Sequence, residues 1–320
     1  MIEQKLTIRH YEPEDYPEMV ELSDAANRAI GDPGGPTVEQ LQAYFSAPDF
    51  DRLNDSFLIE RAGKIVGVSD LEFSAASGRA HAAGSVHPDA NHQGIGTRLI
   101  HLTEARALGR AETELRADQA LSIDRNTSEE NAAAIHLFEA QGYRLIRTYY
   151  RMRIDLDAPI DPLPLPDGLE LRPFDPARHA EAVYAAFQES FADHWGFEPH
   201  SYEDWAHYNL NPDELDPPMW QVAWDQASDQ IAGICLNRFQ NETVWVVTLG
   251  VRRPWRKRGL GLALLKSSFA LFQTRGYQNA ELGVDAASLT NAVALYERAG
   301  MHVHKRWMTY HKLLRGTVEA

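Results

Sequence analysis

Three phrases recur, in order, in the two halves of this 320-residue chain. LTIRHYEPEDY, from Leu6, is matched by LELRPFDPARH, from Leu169. VHPDANHQGIGTRLI, from Val86, is matched by VRRPWRKRGLGLALL, from Val251. AAAIHLFEAQGY, Ala132 to Tyr143, is matched by NAVALYERAGM, Asn291 to Met301. The spacing differs by only a few residues. Such matches define a tandem duplication of one domain of about 150 residues, not a short-period solenoid. The length, about twice that of a typical domain, agrees. Between the copies, DAPIDPLPLPDG is rich in proline and lacks helical periodicity, as a linker does. The expected division is residues 1–156, a linker at 157–168, and residues 169–320.

Each copy mixes strand and helix patterns. In the second, LELRP reads as a short strand, and Arg178 to Ser190 and Ser201 to Leu210 read as helices. WQVAW, QIAGICLN and TVWVVTLGV follow as three strands, with turns at residues 227–229 and 241–242. From Gly259 to Arg275 the apolar residues fall at helical spacing, and Gly276 supplies a stop. NAELGV is a strand, Thr290 to Ala299 a helix ended by Gly300, and HVHKRWMTYHKLL a long strand or a bent pair. The expected class is α/β (α+β): in each copy a mixed, mostly antiparallel sheet flanked by helices, with one strand–helix–strand crossover.

A composition of 44% hydrophobic and 24% charged residues is that of a globular chain. No apolar run reaches the roughly 18 residues that span a bilayer, so no membrane partner is expected. The polar start, MIEQKLTIRHYEPEDY, lacks the apolar core of a signal peptide. The one cysteine, Cys235 in IAGICLN, reads as a buried strand residue, and a reducing cytoplasm is the expected compartment. A net charge of -15 argues against nucleic acid as a partner.

Against that acidity, five of the seven residues from Arg252 to Arg258 are basic, and the run ends abruptly at Gly259-Leu260-Gly261. A strand leads into a proline-kinked loop, and the loop enters a helix. Helix N-termini carry unpaired N–H groups and about half a positive charge, and glycine lets a ligand approach the backbone. The stretch therefore suits a polyphosphate. It is neither a P-loop, for there is no GxxxxGK[ST], nor a Rossmann fingerprint, for there is no GxGxxG.

The pattern V-x-x-P-x-R-x-x-G-x-G between strand and helix resembles the acetyl-CoA signature of the GNAT superfamily of acyltransferases. Arg256, Gly259 and Gly261 match its three key positions. The resemblance covers both halves, and the tandem plan and the VDAASLTNAVALYERAGM phrase are also similar to those of the mycothiol synthases, themselves tandem GNAT proteins. It implies that acetyl-CoA is the co-substrate. The pyrophosphate would lie on the amides of Gly259, Leu260, Gly261 and Leu262, with Arg256, Lys257 and Arg258 around it. Leu249, Gly250 and Val251 would line the pantetheine, Gly250 suiting a bulge that opens the sheet. In the first copy the corresponding set is Val86, Asn91, Gln93, Gly94, Ile95 and Gly96, with Asn131 near the CoA arm. There asparagine replaces arginine at the first key position.

Acetyl transfer to an amine sets a further demand. A primary amine is roughly 0.1% neutral near neutral pH, so its proton must be removed, and the leaving thiolate benefits from an acid. The resemblance implies that Tyr296, in LYERAGM, is that acid. Phe138 stands at the matching place in the first copy and has no proton to give, so the first copy is expected to be degenerate. The base is left open between Glu242 and Asp285 on the one hand and SFADHWGFEPHSYEDW on the other. In that stretch Asp193, His194, Trp195 and Glu198 offer acid, base and aromatic surface for a small-molecule amine acceptor. No metal is implied, and both a monomer and a homodimer are open. The alternative is a CoA-binding regulatory or interaction module without turnover.

Overall fold

The last strand of each half pairs outside its own half. In the computed structural model, which describes residues 6–32, 34–46, 50–192, 197, 199, 201–212, 215–240, 243–288 and 291–317, the chain forms two compact units. The first holds Met1–Thr148 together with Trp307–Ala320, and the second holds Tyr149–Arg306. Two strands divide between the units: β6 (Arg144–Asp155) and β12 (His302–Arg315).

The first unit runs β1 (Leu6–Arg9), α1 (Tyr16–Ala29), α2 (Val38–Phe45), α3 (Arg52–Asp55), β2 (Ser56–Arg61), β3 (Lys64–Ser74), β4 (Arg79–Val86), α4 (Ile95–Glu114), β5 (Leu121–Ser128) and α5 (Ala132–Ala140). Neighbouring strands are antiparallel except β4 and β5, which are parallel. The far side of β5 is taken by the Trp307–Arg315 part of β12. Alternation along the strands sends Leu71, Ala80, Ala82, Leu121 and Ile123 into one core with α4 and α5, and Leu58 and Val68 into another with Tyr16, Met19, Leu22 and Phe45 of α1 and α2. A capping box starts α2: Thr37 accepts from the Gln40 amide at 3.2 Å, and Gln40 accepts from the Thr37 amide at 2.9 Å.

The second unit repeats the plan with β7 (Leu169–Arg172), α6 (Pro176–Phe191), α7 (Tyr202–Asn209), β8 (Gln221–Asp225), β9 (Gln230–Gln240), β10 (Thr243–Val251), α8 (Leu260–Thr274), β11 (Asn279–Asp285) and α9 (Ala292–Arg298). Here β10 and β11 are the parallel pair, and the Tyr149–Asp155 part of β6 closes the far side of β11. Leu264, Phe269 and Phe272 of α8 are fully buried, and Phe174 stacks on Trp220 at 4.4 Å.

The expected helices and strands of the second half are present to within a few residues. The long final pattern is one continuous strand. The division of the chain differs from the sequence-based one because each half supplies the closing strand of the other unit's sheet. The proline-rich segment is irregular, as expected, and is held to α8: the Gln273 amide nitrogen donates to the carbonyls of Leu156 at 2.9 Å and Ala158 at 2.7 Å. No helix among the described residues is long and apolar enough to cross a membrane.

Candidate active site

In the second unit the two parallel strands part company. β10 and β11 pair at Val244 with Ala280 and at Trp245 with Glu281, and no further. Immediately after, β10 bulges at Val247, where its register with β9 slips between Val246 and Thr248. A bulge turns its strand away from a neighbour. From Val247 to Val251, β10 therefore has no strand on its β11 side. The opening bulge lies three residues before Gly250, which was expected to carry it. Gly250 pairs regularly with Ile234. Its missing side chain serves a different purpose: a Cβ there would come within 2.8 Å of the Ser190 Cβ on α6.

The unpaired edge, with Leu249 and Val251, leads into the basic loop. Lys257 (φ 61°) and Gly259 (φ 87°) are both left-handed, and Gly259 caps α8 with no side-chain bond to its amides. The first helical hydrogen bond runs from the Ala263 amide to the Gly259 carbonyl, so the Leu260, Gly261 and Leu262 amides have no partner inside the helix. Alternating backbone of this kind forms an anion-binding concavity. The Leu260 side chain is buried, and Leu262 is half-buried against the same core, so both offer a ligand only their backbone.

The basic side chains divide their work. Arg252 pairs with Glu189 at 2.6 Å, and the Arg258 guanidinium donates to the Asp167 carbonyl at 2.9 Å. Arg256 Nε donates to the Val251 carbonyl at 3.0 Å, and its Nη2 to the Ser190 carbonyl at 3.3 Å. It thus ties the loop to the end of β10 and to the carbonyl end of α6, where a cation is favourable. Lys257 is exposed. Trp255 is buried and donates from Nε1 to Asp225 at 2.9 Å, which with the Ser228 and Ala227 amides holds that carboxyl near 2.

The first unit keeps the backbone and loses the charge. His92 (φ 60°) and Gly94 (φ 77°) reproduce the left-handed pair, and Gly94 caps α4 as Gly259 caps α8. Gln93 donates to the Asp89 carbonyl at 3.0 Å and accepts from Arg61. Val86 ends β4 opposite Gly67, and Ile95 is buried in the core. Gly96 lies against α5: a Cβ there would come within 2.7 Å of the end of the Leu137 side chain, which would have to shift. Asn91 ends the short turn before the loop, its amide donating to the Pro88 carbonyl at 3.2 Å. Asn131 Oδ1 accepts from the Ala134 amide at 3.1 Å, so this side chain caps α5.

Tyr296 and Phe138 stand at equivalent places. Each carbonyl accepts, at 3.0 Å, from the amide five residues on, Met301 and Tyr143, across a left-handed glycine. Both rings are buried. Burial raises the Tyr296 hydroxyl well above the usual phenol range, so it stays protonated. Cys235 is a core residue as expected: it is fully buried, Ser268 donates to its Sγ at 3.2 Å, and burial pushes its thiol up to about 12. Asp285 accepts from the Ala287 amide at 2.9 Å, a turn-forming contact. Asp193, His194, Trp195, Glu198 and Glu242 lie outside the described residues.

The point where the parallel strands part is built differently in the two units. In the second, Glu281 is buried and paired with Arg151 and, at 3.7 Å, with Arg153, while Arg151 lies 4.8 Å over the Trp245 ring. In the first, β4 and β5 part after His81 and Asp124, with no bulge in β4. Register sets Glu72, His81, Asp124 and His311 side by side on β3, β4, β5 and β12. None of these residues belongs to a local sequence motif. Their signal was polar alternation, Asp70 and Glu72, Arg79 and His81, Asp124 and Asn126, in strands whose other face is apolar. Among the described residues no group of three or more histidine, cysteine or acidic side chains is placed to hold a metal.

Each unit thus joins a short parallel strand pair to a left-handed loop and a helix, the arrangement that the acyltransferase resemblance implies. The chain belongs to the GNAT acetyltransferases, as a tandem member. The acetyltransferase (GNAT) family matches residues 180–301, and a second acetyltransferase (GNAT) domain matches residues 53–145. A solved GCN5-related N-acetyltransferase from Sphaerobacter thermophilus is 30% identical, with 98% of each chain covered and a TM-score of 0.83. A tandem GNAT protein from the clavulanic acid biosynthesis pathway shares the fold at 16% identity and a TM-score of 0.75, over 98% of this chain and all of its own. Among curated relatives, the mycothiol acetyltransferase of Salinispora arenicola is 29% identical over 308 residues, 92% of each chain. That of Thermobispora bispora is 32% identical over 185 residues, 55% of this chain and 59% of its own.

Proposed function

We propose that the chain is an acetyl-CoA-dependent enzyme that moves an acetyl group to a primary amine of a small molecule by direct attack on the thioester, with the second unit carrying the reaction. One observation carries this reading: the unpaired edge of β10 from Val247 to Val251 runs straight into the left-handed loop at Lys257–Gly259. Coenzyme A fits that path. Its pantetheine amides suit a free strand edge, and its pyrophosphate suits the Leu260–Leu262 amides with Lys257 beside them. The thioester then lies toward the parting of β10 and β11.

The amine nitrogen attacks the thioester carbon, the carbon–sulfur bond breaks, the CoA sulfur takes a proton from Tyr296, and the proton that the nitrogen sheds returns through water to the phenolate. A buried, protonated phenol is suited to give it. The relatives named for mycothiol support a small-molecule amine acceptor. The acceptor is selected by the stretch between α6 and α7 that contains Asp193, His194, Trp195 and Glu198. We read the chain as a cytoplasmic enzyme that acts without nucleic acid or membrane partners, in keeping with its net charge of -15. A CoA-binding module without turnover is the weaker reading, because it gives the retained Tyr296 no work.

Calorimetric titration with acetyl-CoA tests the proposal. Saturable binding is expected, with at least one site per chain lost in Gly259→Val. An absence of binding overturns it.

A further inference from the structure

The face of the first unit's sheet that α1 and α2 cover carries a mixed acid–base cluster. The Tyr44 hydroxyl of α2 donates to Glu72 at 2.5 Å and lies 3.3 Å from Asp70. Beside Asp70 the Tyr11 hydroxyl is fully buried, with the Ser69 backbone next to it. Next along the row is His81, half-buried at the parting of β4 and β5. Thr309 donates to Asn126 Oδ1 at 2.8 Å, which leaves the Asn126 amide nitrogen to meet His81 Nε2 at 3.1 Å. The Nε2 lone pair is thus an acceptor, and the ring proton sits on Nδ1. Asp124, buried beyond it, is already committed to His311 at 2.7 Å and Arg79 at 3.1 Å.

We propose that the first unit is a second acyl-transfer centre, in which Asp70 and Glu72 hold the ammonium of a primary amine and His81 Nε2 takes its proton. The inference rests on the acetyl-CoA reading above for its acyl donor. The exposed Asn126 amide occupies the place where the ammonium N–H would donate. On deprotonation the N–H bond breaks and its proton passes to His81 Nε2. The freed amine attacks the thioester carbon, the carbon–sulfur bond breaks, and the second proton that the nitrogen sheds passes through water to the departing CoA thiolate.

Relative magnitudes decide why a unit without a tyrosine acid can still work. Near neutral pH an amine of pKa about 10.4 is protonated over its free base by roughly a thousandfold, whereas a thiol of pKa about 8.5 is protonated over its anion by only about tenfold. The base is the greater need, and the first unit has it. The groups that face His81 are Glu72 from β3 and Asp124 from β5 and, further along the row, Arg79 and His311, with Tyr44 and Asp70 beyond Glu72; Arg125, on the opposite face of β5, is bound to Tyr143 and Thr103 and adds only its positive charge. Burial outweighs the two acids and lowers the His81 pKa, so the ring is neutral at the pH where a base is needed.

The test uses the full chain with labelled histidines and putrescine, a primary diamine, as the probe. The imidazole signal lost in His81→Gln identifies His81. Millimolar putrescine is expected to shift that signal saturably, and Asp70→Asn/Glu72→Gln is expected to abolish the shift. An unmoved His81 signal overturns the proposal whatever the catalysis. In parallel, thiol release from acetyl-CoA with putrescine is measured in Tyr296→Phe and in Tyr296→Phe/His81→Gln. A further fall of about tenfold or more in the double variant is expected. Equal rates overturn His81 as the proton acceptor. An unmodified chain that binds no acetyl-CoA and releases no thiol, while His81 still responds to putrescine, defeats the acetyl-CoA reading and leaves the amine site standing.

Discussion

Trp245 and Glu281 are the last residues at which β10 and β11 run side by side. One residue beyond Val246 the bulge at Val247 turns β10 aside, and the strand edge it exposes ends in the loop that Arg256 braces. A free strand edge and an anion nest thus follow from one slipped register and two left-handed residues. The same parting in the first unit falls at His81 and Asp124. The arginine-paired Glu281 and the histidine-flanked Asp124 occupy equivalent places with different chemistry.

Tyr296→Phe is expected to lower turnover about tenfold or more while leaving the Kd for acetyl-CoA nearly unchanged. Steady-state kinetics beside calorimetry separates the two. Unchanged turnover would remove Tyr296 from the reaction.

Gly259 owes its identity to conformation, not to space, since nothing lies within 4 Å of a Cβ placed there. A β-branched residue at φ 87° is strained. Gly259→Val should weaken acetyl-CoA binding more than Gly94→Val, whose loop lacks the arginine and lysine charges. Equal losses in a titration would mean that both loops hold CoA alike.

Arg256 acts through two carbonyls, so charge alone should not replace it. Arg256→Ala is expected to weaken acetyl-CoA binding about fivefold or more, in line with the loss of hydrogen bonds from a charged donor. Arg256→Lys should recover little, because an ammonium lacks the planar fork. Full recovery by lysine, read in the same titration, would assign Arg256 to simple charge attraction.

Burial, and then Glu72, push the Asp70 carboxyl up to about 7. The unfolded chain loses this proton near pH 4, and the folded chain holds it until near neutrality. Between those values the folded state binds the extra proton, so stability from this group falls as pH rises and is lowest above about 7. Asp70→Asn should therefore raise Tm relative to the unmodified chain by about 2 °C or more near pH 8, and by less near pH 4. Thermal melts at the two pH values decide it, and an equal shift at both would contradict the raised carboxyl.

Cys235, with its thiol near 12 and no exposed surface, should not react with a disulfide reagent at about pH 8 in the folded chain and should react once per chain in denaturant. Prompt reaction without denaturant would show that the β9 core opens.

Much of this protein is written locally. Helix and strand periods, the glycine stops, the buried Cys235 and the glycine pair before α8 depend on neighbours a few residues away, and the duplication repeats them. Strand partnership does not. Nothing in HVHKRWMTYHKLL says that its second part closes the sheet of the other half, because pairing is a contact across nearly two hundred residues, as between Thr309 and Asn126 at a separation of 183. The basic run could be seen, but not that Arg256 would spend its donors on the Val251 and Ser190 carbonyls. Nor could Gly250 be told from a bulge residue until Ser190 lay against it. The row from Glu72 to His311 belongs to four strands, each contributing one unremarkable polar residue, and only their register makes a chemical site of them. Short-range conformational preference is a property of the chain. Adjacency across a sheet comes from burying apolar faces together, and that is settled only when the whole unit packs.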